Sequence, residues 1–150
     1  MSRFLITLAV ALSAAAVSAT GAATSYPPYI ITFASGETRP DAVAWEVIAK
    51  VVNEYQKGNG GAALTVRGHT DRLGSIDANQ RLACARARTV RARLMSHGIP
   101  GNRIFIEGFG ELRPTVETAD EVAEPANRRV EIAVVPFPWK ASTPAAIACR

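Results

Sequence analysis

The stretch "GHTDRLGSIDANQRLACARARTV", Gly68 to Val90, joins the end of an apolar strand to an arginine-loaded helix. Just before it, Leu64 and Val66 alternate with Thr65 and Arg67, the period of a strand. Asp77 with Gln80 three positions later forms a capping-box pattern, which predicts a helix starting near Ala78 and ending at His97-Gly98. At about 100° per residue, Ala83, Ala87, Val90 and Leu94 share one arc that Leu82 bounds. Arg81 and Arg88 fall opposite, with Arg91, Arg93 and Cys84 on the flanks. Arg86 falls inside the arc, and Asn79 sits beside it.

A guanidinium buried without a partner is strongly destabilising, so an anion is expected to meet Arg86. Asp71 is the nearest carboxylate that stands at a strand end close to this helix. Two arrangements satisfy the requirement. One is a plain salt bridge that orients loop and helix. The other is a zwitterion grip, in which the arginine clamps a ligand carboxylate while the aspartate accepts an ammonium.

Outward from this stretch, Tyr29 to Phe33 reads as a first strand, rich in aromatic and β-branched residues. Pro40-Asp41 leads into a helix with Ala44, Val47, Ile48, Val51 and Tyr55 at helical spacing, stopped by Gly58-Asn59-Gly60-Gly61. Ile104 and Ile106 mark a third strand, and Val130, Ile132 and Val134 a fourth. The acidic segment between them, about Gly110 to Ala126, reads as a functional loop, a short helix near Glu117 to Val122, or both. The expected fold class is α+β, with helices on one face of a small mixed sheet.

The expected organisation is a signal peptide over 1–23, a linker over 24–28, a domain over 29–135 and a tail over 136–150. Arg3, the apolar run from Phe4 to about Leu12 and the small residues ending at Ala19 or Ala23 form the export signal. That run is too short, and too diluted by Ser and Ala, to span a bilayer, which takes about 20 apolar residues. No cysteine follows it, so a lipid anchor is not expected, and no integral span is expected in the mature chain. Removing Arg3 lowers the basic excess, 17 residues against 13 acidic, to a mild +3. Export argues against nucleic acid as its partner.

Cys84 and Cys149 make an even count in a chain bound for an oxidising compartment. One disulfide pinning the tail to the second helix fits them; two unrelated thiols is the other reading. With two histidines and no zinc-type spacing, no metal and no cofactor are expected. His69 reads as packed at the strand end, because no serine or cysteine nucleophile matches it. No catalytic carboxylate pair is visible either, so no enzymatic activity is expected.

The run "GHTD", then Asn79, Leu82, Arg86-Ala87, "HGIP", "IEGFGELRP" and "NRRVEI", resembles the OmpA-like C-terminal domain family from about Tyr29 to Val135. The resemblance implies a βαβαββ fold that binds the peptide stem of peptidoglycan non-covalently in the periplasm, at diaminopimelate, in association with the outer membrane or cell wall. It implies that Asp71 and Arg86 hold the charged groups of that residue, with Asn79, Arg128, Thr70 and Leu73 around them. Two positions depart from the family pattern. Ala83 stands in place of a usual Ser, and Ala34 in place of a frequent Asp or Asn, which removes a polar group near the ligand. The alternative on the same fold is a protein-interaction component of an envelope or secretion complex, with envelope proteins as partners and a purely structural Asp71–Arg86 pair.

Overall fold

The computed structural model describes residues 28–139 and 147–149. The expected signal peptide and all of the linker but its last residue lie outside the described residues, as does much of the tail.

Four main strands and two helices follow the predicted order: β1 Tyr29–Thr32, α1 Glu46–Lys57, β2 Ala62–His69, α2 Ile76–Ser96, β3 Ile104–Gly110 and β4 Arg129–Pro136. A two-residue strand, β5 Ile147–Ala148, was not foreseen. The sheet order is β1-β4-β2-β3-β5. Only β2 and β3 run parallel, joined by the α2 crossover, while β4 inserts antiparallel between β1 and β2. The fold is therefore α+β, with two helices packed on a mixed sheet.

Alternation in the strands divides the side chains between two environments. Ile31, Leu64, Val66, Ile104, Val130 and Ile132 meet Ile48, Val51, Ala87, Val90 and Leu94 of the helices in one buried cluster. Gly68 continues that face and marks the tightest contact, since a Cβ there would lie 2.0 Å from the Ala83 carbonyl oxygen. Glycine is what lets strand and helix approach so closely. Arg67 and His69 alternate onto the other face, where Arg67 pairs with Glu107 at 3.0 Å and His69 stacks on Phe109. Trp139 rests at a tilt against Phe105, with ring centroids 5.3 Å apart.

Helix α1 is preceded by a single 3-10 turn, Val43–Trp45, and the Asp41 carboxylate accepts the Ala44 N–H at 2.8 Å. Helix α2 starts at Ile76, two residues before the predicted position. Its cap is Ser75, whose hydroxyl accepts the Ala78 N–H at 3.3 Å. Asp77 lies inside the first turn, where its charge favours the helix dipole, and Gln80 reaches the Gly108 carbonyl at 3.0 Å instead of closing a capping box. Gly98, at φ 88°, ends the helix as read from the sequence.

Of the alternatives for the segment after β3, the short helix near Glu117 to Val122 does not form. Glu121 adopts φ 60°, which no right-handed helix contains, and only the turn Pro125–Asn127 is helical in this segment. Arg72 organises the segment instead, donating to the Thr118 carbonyl at 2.8 Å and offering its own carbonyl to the Glu121 N–H at 2.9 Å. Cys84 and Cys149 form a disulfide, which ties β5 and the end of the tail to α2.

Candidate functional site

The C-terminal end of β2, the following turn and the loop before β4 converge around Asp71. Residue 71 follows Thr70, whose N–H bonds the Gly110 carbonyl at 2.9 Å and so fixes the strand end to the end of β3. Asp71 is 5% exposed. Its Oδ2 accepts Arg128 Nη1 at 3.0 Å and the Glu124 N–H at 3.3 Å. Arg128 also donates from Nε to the Phe33 carbonyl at 3.1 Å, which links the site to the end of β1.

Arg86 lies where the wheel placed it, on the buried face of α2 and 0% exposed. What meets it differs from the expectation. Its guanidinium donates to three backbone carbonyls: Nε to Glu37 at 2.9 Å, Nη1 to His69 at 2.9 Å and Nη2 to Ala34 at 3.1 Å. The Phe33 ring lies 5.1 Å from its central carbon. Asp71 acts on Arg86 through its charge, and its direct ion-pair partner is Arg128. The direct Asp71–Arg86 salt bridge considered from sequence is thus replaced by Asp71–Arg128 and a carbonyl cradle. Carbonyl oxygens satisfy a guanidinium fork as well as a carboxylate does in geometry, but they leave its charge uncompensated.

The energetics reflect that surplus. Burial pushes the Arg86 guanidinium down to about 10, the nearby Asp71 charge opposes the shift, and the Arg128 charge reinforces it. One carboxylate and two guanidiniums therefore lie close together at this end of the sheet. The two hydrogen bonds to Asp71 both fall on Oδ2, and no described residue is bonded to Oδ1.

The remaining expected residues sit around this core. Asn79 is buried one turn into α2 and donates to Glu111 at 2.6 Å. Thr70 is buried, and its hydroxyl has no partner among the described residues. Leu73 is half-buried on the turn after Asp71. The structure thus joins Asp71 to Arg128 directly and to Arg86 electrostatically, with Thr70 and Leu73 on the same turn and Asn79 held on a separate acid. Sequence reasoning missed Glu111, the Glu124 N–H and the carbonyls of Ala34 and Glu37. Backbone groups leave no mark in residue identity, and Glu111 was one of several acids in its segment.

His69 is packed, as read. Burial, aided by the charges of Arg129, Arg113 and Arg67, lowers its pKa to about 3, so it is neutral at physiological pH. Among the described residues no group of His, Cys, Asp and Glu is arranged to hold a metal ion, and no helix is long and apolar enough to cross a membrane.

The fold recurs in known proteins. The Escherichia coli protein named Probable lipoprotein YiaD is 36% identical over 90 residues, covering 60% of this chain and 39% of that one. The Peptidoglycan-binding protein ArfA of Mycobacterium tuberculosis is 33% identical over 90 residues, 60% of this chain and 27% of its own length. The chain thus spans well under half of these curated relatives. Among solved structures, the peptidoglycan-associated lipoprotein of Burkholderia pseudomallei superposes with a TM-score of 0.64 at 19% identity, covering 71% of this chain and 89% of that one. The C-terminal domain of Helicobacter pylori MotB gives 0.61 at 23% identity, covering 75% and 87%. At those identities the likeness is one of fold. The OmpA family model matches residues 32–128, most of the described domain, and the chain belongs to the OmpA family.

Proposed function

We propose that this domain binds the peptide stem of peptidoglycan in the cell envelope, without turning it over, and that it grips the diaminopimelate residue. The free end of that diamino acid carries an ammonium and a carboxylate. Asp71 Oδ1 accepts the ammonium, and the positive surplus at Arg86 and Arg128 attracts the carboxylate, with Thr70, Leu73 and Asn79 shaping the surroundings. The observation that carries this reading is the buried charge imbalance, one carboxylate paired with Arg128 while the fully buried Arg86 nearby is met by carbonyls alone. An incoming carboxylate neutralises it, and charge-assisted hydrogen bonds formed away from water are strong. The relatives named above, one a peptidoglycan-binding protein, support the same partner. The expected signal peptide supports a periplasmic location for the domain.

A second reading keeps the fold and makes it a protein-interaction module. Its support is the carbonyl cradle, because three backbone bonds give Arg86 a structural task already. For that reason Arg86 variants do not separate the readings, and Asp71→Asn does. Asparagine keeps an acceptor for Arg128 and for the Glu124 N–H while removing the charge an ammonium needs. In co-sedimentation with purified sacculi, the wild type is expected to pellet and Asp71→Asn, with a near-native melting temperature, to stay in the supernatant. Equal pelleting of the two overturns the clamp; no pelleting of the wild type, and no thermal shift with diaminopimelate, favours the second reading.

A further inference from the structure

Beside the Asp71 site lies an open cavity of about 570 Å³, whose lining includes Phe33, Ala34, Arg39, Asp41 and Pro125. Its size falls within the range of small-molecule sites, roughly 300–1,000 Å³. It shares its walls with the candidate clamp. The Ala34 carbonyl that takes Arg86, and the Phe33 carbonyl that takes Arg128, both belong to cavity-lining residues. Pro125 follows Glu124, whose N–H bonds Asp71. The cavity therefore adjoins the backbone segments that hold the Asp71, Arg86 and Arg128 side chains.

Two opposite charges line the cavity, Arg39 and Asp41. Arg39 is exposed, and no hydrogen bond or ion pair engages its guanidinium among the described residues. Asp41, the acid on the same wall, commits Oδ1 to the Ala44 N–H at 2.8 Å. Ala34 contributes only a methyl group, so it presents no carboxylate of its own to Arg39. An unpaired guanidinium at a partly apolar wall is suited to a planar carboxylate, which it binds through two parallel N–H bonds.

We infer that this cavity is a second subsite, in which Arg39 takes the free carboxylate of the stem residue next to the diamino acid. The inference rests on the clamp reading above. In the stem, the acidic residue before diaminopimelate is linked through its side-chain carboxyl, which leaves its α-carboxylate free. That carboxylate belongs to the residue adjoining the diamino acid, as the cavity adjoins the Phe33-Ala34 and Glu124-Pro125 segments that carry the clamp. Arg39 then distinguishes a stem with a free carboxylate from one in which it is amidated.

Calorimetric titration of the whole chain with free meso-diaminopimelate, with the stem tripeptide L-Ala-γ-D-Glu-meso-diaminopimelate and with its amidated D-isoglutamine form tests this. Arg39→Gln is expected to weaken the tripeptide about tenfold, the scale of one charge-assisted contact, and to leave the free diamino acid unchanged. Amidation should cost the wild type the same factor and Arg39→Gln nothing. Arg39 is on an exposed loop, so an unchanged melting temperature verifies the fold of the variant. Arg39→Gln binding the tripeptide as tightly as the wild type overturns the subsite while leaving the clamp intact. If the wild type binds neither the diamino acid nor the tripeptide, the clamp fails and the subsite fails with it.

Discussion

Substituting Arg86 by lysine keeps the charge and destroys the fork, which isolates what the carbonyl cradle contributes. The guanidinium reaches Glu37, Ala34 and His69 carbonyls from three different nitrogens. A lysine ammonium is a single point at the end of a flexible stem and can take one of these acceptors. Two bonds from a charged donor are lost, at about 1.5–3 kcal/mol each, for an expected destabilisation of about 3–6 kcal/mol. Against a typical total of about 5–15 kcal/mol, the variant becomes marginal. For a domain of this size that corresponds to a fall in melting temperature of about 10–25 °C. Thermal unfolding followed by circular dichroism, supported by urea titration at unchanged slope, measures it. A loss below about 1 kcal/mol would refute the claim that Arg86 pins the loop before α1 to the end of β2.

Two further outcomes follow from the packing. Gly68→Ala forces the added Cβ against the Ala83 carbonyl, which sits 2.0 Å from its ideal position, so β2 and α2 must separate. A loss of about 2–3 kcal/mol is expected, and an unmoved urea midpoint would contradict the close approach. His69 gives a pH signature: the unfolded imidazole takes a proton near 6.5, whereas the folded one does so only near 3. Its contribution is therefore fully present above about pH 6.5 and is lost as pH falls toward 3, at no more than about 1.4 kcal/mol per pH unit. His69→Gln should flatten this part of the stability curve, and parallel curves for the two proteins would count against a neutral buried imidazole.

Local patterns carried most of the architecture. The strands showed as alternation at Leu64-Val66, Ile104-Ile106 and Val130-Ile132-Val134, and the burial of Arg86 followed from its place between Leu82 and Ala87. The partners of Arg86 were not legible, because what meets it is backbone from two segments brought together only by folding. The pairing of Asp71 with Arg128 spans 57 positions, and no local spacing encodes it. The start of α2 was misplaced because two plausible caps, Ser75 and Asp77, stand two residues apart. The segment after β3 has the acidic composition of a helix start, yet Arg72 draws its backbone into turns instead. Strand β5 is too short to show any alternation.

The short strand β5 bears on how the molecule meets copies of itself. It pairs antiparallel with Glu107 and Gly108, and the bond between Cys84 and Cys149 anchors its end. Edges of β-sheets offer unpaired backbone groups to any passing strand, and covering them prevents runaway association. Here the β3 edge beside the candidate site carries a covalently fastened stopper. While that bond is intact, the sheet resists extension there, and crowding many copies together does not invite them to zip together through β3.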